Sequence, residues 1–97
     1  MPRRRRHTVE VVVYTRQGCG LCHTAEDLVA AEARGAAVRH VDVDASDDLQ
    51  RRYGVRVPVV TVDGVEVAEL QVAPGAVRRA VRRAGGRTRF LGRGGAP

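Results

Sequence analysis

Val9-Glu10-Val11-Val12-Val13-Tyr14-Thr15-Arg16-Gln17-Gly18-Cys19-Gly20-Leu21-Cys22-His23-Thr24-Ala25 passes from an apolar, β-branched run through a short turn into a stretch with helical spacing, and it holds both cysteines of the chain. A strand that stops where a helix starts places Cys19 at the helix N-terminus, where unpaired backbone N–H groups and the helix dipole favour an anion. For a cysteine that anion is the thiolate, the form that attacks disulfides. Cys22, three residues on, shares a helix face with Cys19 at a separation an S–S bond can close. One thiol can then attack while the other resolves.

Outward from this stretch the chain alternates strand and helix patterns. Thr8 to Thr15 reads as a buried strand broken only by Glu10. Leu21, Ala25, Leu28, Val29, Ala31 and Ala36 form the inward face of a helix that leaves Glu26, Asp27, Glu32 and Arg34 to water and stops near Gly35. Val38 to Asp44 alternates like a half-buried strand. Ser46, Asp47 and Asp48 open a short helix that ends at Tyr53-Gly54. A helix of this kind between two strands makes them parallel and right-handed. Val57 to Val62 and Val65 to Leu70 flank Asp63-Gly64, a strong signal for an antiparallel hairpin, and Pro58 sits where the first of them starts. Pro74 introduces a last helix, Gly75 to Ala84, with Val77 and Val81 as its sparse apolar stripe.

This order, β-α-β-α-β-β-α, is of the α/β class: a central mixed four-stranded sheet flanked by helices, with the dithiol at the first strand-to-helix junction. Reactive groups gather at such carboxyl ends of parallel strands. Residues 1–7 are expected to form a disordered basic arm, 8–84 one domain, and 85–97 a disordered Gly/Arg-rich tail whose only anchor would be Phe90 and Leu91.

With 97 residues, 43% hydrophobic and 29% charged, there is room for one soluble domain, and 3% aromatics leave Val, Leu and Ala to build its core. The net charge of +6 is unevenly spread. Arg3 to Arg6 hold four arginines, and Arg78, Arg79, Arg82, Arg83, Arg87, Arg89 and Arg93 hold seven; the other six of the 17 lie among all 11 acidic residues, so residues 9–77 carry −5. Every basic residue is arginine, in keeping with GC-rich coding. No transmembrane span or secretory signal is evident, so the expected location is the cytoplasm, where a Cys-x-x-Cys pair is catalytic or metal-binding more often than a staple.

A metal centre needs about four ligands. His7, His23 and His40 are scattered and no second cysteine pair exists, so none is expected within one chain, although two chains could share a cluster. Cys19-Gly20-Leu21-Cys22-His23 matches the c-type haem attachment motif, yet haem attachment requires export and an axial partner, and the sole methionine is Met1. The arginine-rich ends could attract phosphate, but few aromatics are present to stack on bases.

The residues Tyr14-Thr15-Arg16-Gln17-Gly18-Cys19-Gly20-Leu21-Cys22, Tyr53-Gly54-Val55-Arg56-Val57-Pro58 and the Asp63-Gly64 hairpin resemble the thioredoxin-like fold and, within it, the glutaredoxins. The resemblance covers roughly residues 8–84 as an order of elements. It implies that Cys19 is the nucleophile and Cys22 the resolving thiol, that Val57-Pro58 is a cis bond facing them, and that the Val57 backbone docks substrate. It also implies that Arg16 stands where glutaredoxins use a lysine to meet a glutathione carboxylate. Where those proteins carry a Gly-Gly-x-Asp-Asp-like segment for the γ-glutamyl end of glutathione, this chain has Gln71-Val72-Ala73-Pro74.

The function expected is thus a small thiol–disulfide oxidoreductase that reduces protein or mixed disulfides. It needs no bound cofactor: glutathione or another low-molecular-weight thiol acts as co-substrate, or a flavin reductase recycles it. The alternative is a non-catalytic thioredoxin-like module whose arginine-rich ends bind an acidic partner or nucleic acid.

Overall fold

The computed structural model describes the backbone of residues 7–92 and the side chains of residues 7–85. Four strands, β1 (Glu10–Thr15), β2 (Ala37–Asp42), β3 (Val59–Val62) and β4 (Val65–Glu69), form one sheet in the order β2-β1-β3-β4. β1 runs parallel to β2, from Glu10 opposite Ala37 to Thr15 opposite Asp42, and antiparallel to β3. β3 and β4 are the antiparallel hairpin, with Asp63 at φ 50° and Gly64 at φ 84°, the left-handed pair that a type I′ turn requires. The mixed four-stranded sheet is therefore the one expected from the sequence.

β1 lies between two partners, which is why its run of valines is continuous: Val11 and Val13 are fully buried and Val12 nearly so. β2, by contrast, is an edge strand with five of its six residues exposed, so its alternation marks an open sheet edge rather than a half-buried strand. Three helices pack on the sheet: α1 (Gly20–Glu32), α2 (Asp47–Tyr53, following a 3-10 turn at Val43–Ala45) and α3 (Ala76–Gly92). Val11, Val13, Ala25, Val29, Val60, Val62, Val77 and Ala84 form the main core. Tyr14 and Val59, one residue out of phase with Val13 and Val60, belong to a second cluster with Cys22, Val43, Tyr53 and Val57.

Three further expectations are corrected. His7, assigned to a disordered arm, meets Asp63 (Nε2 to Oδ2 2.7 Å), and the other oxygen of Asp63 accepts the Glu10 N–H at 2.9 Å, so one hairpin aspartate ties down the start of the domain; residues 1–6 lie outside the described residues. The last helix continues past Ala84 to Gly92, so residues 85–92 of the expected tail are helical, and 93–97 lie outside the described residues. Two glycines cost about 1 kcal/mol each against alanine, but propagating a helix already anchored through Val77 and Ala84 is far easier than nucleating one.

The third concerns Glu32, expected to face water. It is buried, and its carboxylate accepts the Gly75 N–H at 2.8 Å and the Arg78 N–H at 3.1 Å, capping the first turn of α3 from a helix 43 residues earlier. Gly75 is glycine for a local reason, its φ of 91°.

Burial pushes the Glu32 carboxyl up, but the amide hydrogen bonds of Gly75 and Arg78 and the Arg78 charge outweigh it, so Glu32 ionises below the usual glutamate range. Its contribution to stability is therefore complete above the unfolded-state value of about 4.3 and is lost as pH falls through the lower folded value. Glu32→Gln should lose about 1–3 kcal/mol at neutral pH in urea unfolding, and the gap to wild type should close as pH is lowered below about 4. A gap that stays constant down to acid pH would show that the charge is not what caps α3.

Candidate active site

β1 ends at Thr15, and the chain turns through Arg16, Gln17 and Gly18, the last at φ 72°, to deliver Cys19 as the N-cap of α1. The Cys19 Sγ accepts the backbone N–H of Cys22 at 3.1 Å, as a capping oxygen would. Cys19 and Cys22 are joined in a disulfide, with Cα atoms 5.2 Å apart. The two sulfurs are not equivalent: Cys19 is half-buried, whereas Cys22 is 1% exposed beneath it.

The Val57-Pro58 bond is cis, as the sequence resemblance implies. Val57 and Cys22 share one packed cluster with Val43, Tyr53 and Val59, and Cys19 lies against it. Pro58 is fully buried, and the sheet ladder begins only at Val59, which leaves the Val57 backbone outside it. Arg56 fixes this loop: it reaches Glu66 at 2.8 Å and Glu69 at 2.9 Å on β4 and donates to the Arg52 carbonyl at 2.7 Å. The hydrogen bond from Arg56 holds the Glu66 carboxyl below its usual range. Tyr14 and Tyr53 stack with ring centroids 4.0 Å apart, and Arg52 and Arg56 lie over the Tyr53 ring at 5.3 and 5.6 Å. Burial, then the Tyr53 hydroxyl, raises the Tyr14 phenol.

Arg16 stands at the turn before the dithiol, half-buried, with its guanidinium turned back onto neighbouring loops. Its Nε and Nη2 donate to the Asp44 carboxylate at 3.1 and 3.0 Å, and Nη1 donates to the Gly54 carbonyl at 3.0 Å. The hydrogen bond from Arg16 lowers the Asp44 carboxyl, and Asp44 in turn raises Arg16. Nothing singled out Asp44 in the sequence, although parallel pairing of Thr15 with Asp42 brings the residues just beyond both strands to one end of the sheet. His23, next to Cys22, is exposed; its Nδ1 is 4.0 Å from Glu26 Oε1, while Glu26 Oε2 accepts the Thr15 hydroxyl at 2.7 Å.

Leu21, between the cysteines, and Thr24 form one wall of a groove of about 510 Å³ whose other wall is residues 70–74. Leu70 has φ 62° and donates its N–H to both the Pro58 carbonyl, at 2.8 Å, and the Arg56 carbonyl, at 3.2 Å. The described residues contain no group of three or more His, Cys, Asp or Glu placed to hold a metal, and no helix among them is long and apolar enough to cross a membrane.

The family model described as glutaredoxin-like domain (DUF836) matches residues 10–82. Among solved structures the chain is similar to protein XcR50 from X. campestris, with 31% identity, a TM-score of 0.62, and coverage of 71% of this chain and 91% of that one. It is similar also to a mutant thioredoxin from Halobacterium salinarum NRC-1, with 31% identity, a TM-score of 0.59, and coverage of 79% and 74%. A malarial protein at 17% identity, TM-score 0.54, shares the fold alone, over 79% of this chain and 97% of its own. No curated protein matches the chain.

Reduction of the disulfide should leave Cys19 at the N-terminus of α1 with the Cys22 amide aimed at its sulfur, as in the oxidised form. Its thiol should then ionise below the ~8.5 of a free cysteine, read as thiolate absorbance during a pH titration, while buried Cys22 resists alkylation in the native protein. Equal alkylation of the two, or an ordinary ionisation for Cys19, would contradict the asymmetry described.

Proposed function

Because the chain belongs to the glutaredoxin-like domain family and has the thioredoxin-like fold, we propose that it is a thiol–disulfide oxidoreductase that reduces protein or mixed disulfides through Cys19 and Cys22. The observation that carries this reading is the pairing of a half-buried cysteine at a helix N-cap with a fully buried one a turn behind it, both packed with Val57, the residue before the cis proline.

In the reduced protein the Cys19 thiolate attacks one sulfur of a substrate disulfide R–S–S–R′. The S–S bond breaks, R′S⁻ leaves and takes up a proton from water, and Cys19 is joined to R in a mixed disulfide. Cys22 then loses its proton, and its thiolate attacks the Cys19 sulfur. RS⁻ leaves, and the Cys19–Cys22 disulfide is formed. Substrate gains two electrons, both from the protein, and two protons, one released by Cys22 and one taken from water. The helix N-terminus stabilises the attacking charge, and the burial of Cys22 leaves Cys19 as the sulfur that meets the substrate first. The Val57 backbone offers its free edge to the extended chain of the substrate, while Arg16, gripped by Asp44 and Gly54, shapes the turn that presents Cys19.

No bound cofactor is required. A low-molecular-weight thiol such as glutathione, or a flavin reductase, returns the two electrons, and the reducing cytoplasm is the compartment that suits this direction. Cys19→Ser should abolish reduction of an insulin-type disulfide, and Cys22→Ser should stop at the mixed disulfide, visible as an adduct by mass spectrometry. A Cys19→Ser protein that reduces insulin as fast as wild type would refute the proposal.

A further inference from the structure

We propose that the outward face of α3 binds the phosphate backbone of duplex nucleic acid, without regard to sequence, through Arg79, Arg82 and Arg83, while the dithiol at the far end of α1 stays free for exchange. The binding is independent of the exchange reaction above.

α3 buries Val77 and Ala84 in the main core and leaves Arg78, Arg79, Arg82 and Arg83 exposed on its other side. They recur at i and i+4, about 6 Å apart along the axis, as two short rows of one sign. No acidic residue follows Glu69 in the chain, and the first turn of α3 has none. Arginines there are opposed by the helix dipole and by each other, so the cluster does not serve helix formation. Elsewhere Arg16, Arg39, Arg51 and Arg56 each meet a carboxylate. On α3 Arg78 has Glu32 at 3.9 Å, but among the described residues Arg79, Arg82 and Arg83 have no acidic partner. Glu32 ends α1 and Cys19 caps its start, so thirteen residues of helix, about 20 Å, lie between this face and the sulfurs. Val9 lies beside Gly85 of α3, so the chain enters the domain next to the same helix, three residues after Arg6.

The chemistry of the face selects its partner. None of the exposed large apolar side chains among the described residues lies on α3. A protein interface draws affinity from apolar and aromatic anchors, and a helix lying on lipid from an apolar face; this face offers neither. A second copy of the chain offers few free carboxylates, since Asp44, Asp48, Glu66 and Glu69 already hold arginines. A phosphate polymer is the partner for which charge alone suffices, because arginines that bind it release its condensed counterions, and a guanidinium takes phosphate oxygens in pairs. With no aromatic side chain on the described part of the face to stack on bases, a duplex fits better than a single strand. Residues 9–77 carry −5, which turns phosphate away from the rest of the domain and towards α3.

The test is the fluorescence anisotropy of a labelled DNA duplex of arbitrary sequence, titrated with the full chain over a range of salt. The Kd should be about 10⁻⁴ to 10⁻⁶ M at physiological salt, the same for unrelated sequences, and higher for single-stranded DNA. An RNA duplex separates the two sources of such a backbone; binding of either supports the assignment. With Arg79→Ala, Arg82→Ala and Arg83→Ala together, the plot of log affinity against log salt should be flatter by about 2.7, three phosphate contacts at about 0.9 each. Arg78 is kept because its N–H binds Glu32. The corresponding glutamine variant, which keeps side-chain length, should behave alike. A control with Arg34→Ala, Arg39→Ala and Arg51→Ala has the same net charge and should keep the wild-type slope. Equal losses in the α3 variant and the control, or no binding to either duplex, would overturn the proposal. So would tighter binding to poly-glutamate or to phosphatidylserine vesicles, or self-association at low salt that the alanine variant abolishes and duplex does not compete with.

Discussion

Burial of Val11 and Val13 in the main core, on a strand flanked by β2 and β3, decides where the rest of the molecule begins and ends. Full burial of a valine-sized side chain contributes roughly 1.5–3 kcal/mol, and because side chains alternate across a strand, a one-residue slip would send both valines to the wrong face. That register is fixed, so the carboxyl end of β1 is fixed, and the left-handed Gly18 has only one direction in which to send the chain. Cys19 becomes a helix cap because of where a strand must stop. The chemistry of the site thus follows from a packing constraint several residues upstream.

What was legible in the sequence is what is local. The Cys-x-x-Cys turn, the Asp63-Gly64 hairpin and the Ser46 cap of α2 each rest on a few adjacent residues whose backbone preferences agree, and the structure has all three. What was not legible depends on partners far apart in the chain. Glu32 looks like any exposed helix glutamate until α3 arrives 43 residues later and offers it two N–H groups. Asp44 looks like a strand-end acid until parallel pairing sets it beside Arg16. Leu70 carries no turn signal at all, and its left-handed backbone is imposed by the two carbonyls that share its N–H. The helix beyond Gly85 was missed for the opposite reason: a local penalty was given more weight than the anchoring of the helix that runs into it.

The charges of the central segment serve placement more than stability. An exposed ion pair contributes about 0–1 kcal/mol, so Arg16–Asp44 and Arg56 with Glu66 and Glu69 add modestly to the fold. Their positions matter more. Arg16 joins the turn before Cys19 to the loop after β2 and to the end of α2, and Arg56 joins the loop before the cis proline to β4. Each clamps one of the two loops that meet at the disulfide, with a planar guanidinium that fixes direction as well as distance. A segment carrying −5 would otherwise have its carboxylates unanswered at that end of the sheet.

The disulfide itself is badly placed to act as a staple. By the chain-entropy reckoning a bridge between residues three apart, as here, removes only about 2 kcal/mol of freedom from the unfolded chain, against about 4.7 kcal/mol for a loop of about 100 residues. The fully buried Val11, Val13, Val29, Val43, Val59, Val60 and Val77 together outweigh that contribution several times over. Nor does the bond hold its own ends together, since one turn of α1 and the Cys22 N–H already keep the two residues adjacent. Opening it therefore leaves the fold with nearly all of its support and the two sulfurs within reach of each other. A bond that can be broken and remade without disturbing what surrounds it is the kind that exchange requires, and the helix that carries both cysteines is what makes this one so.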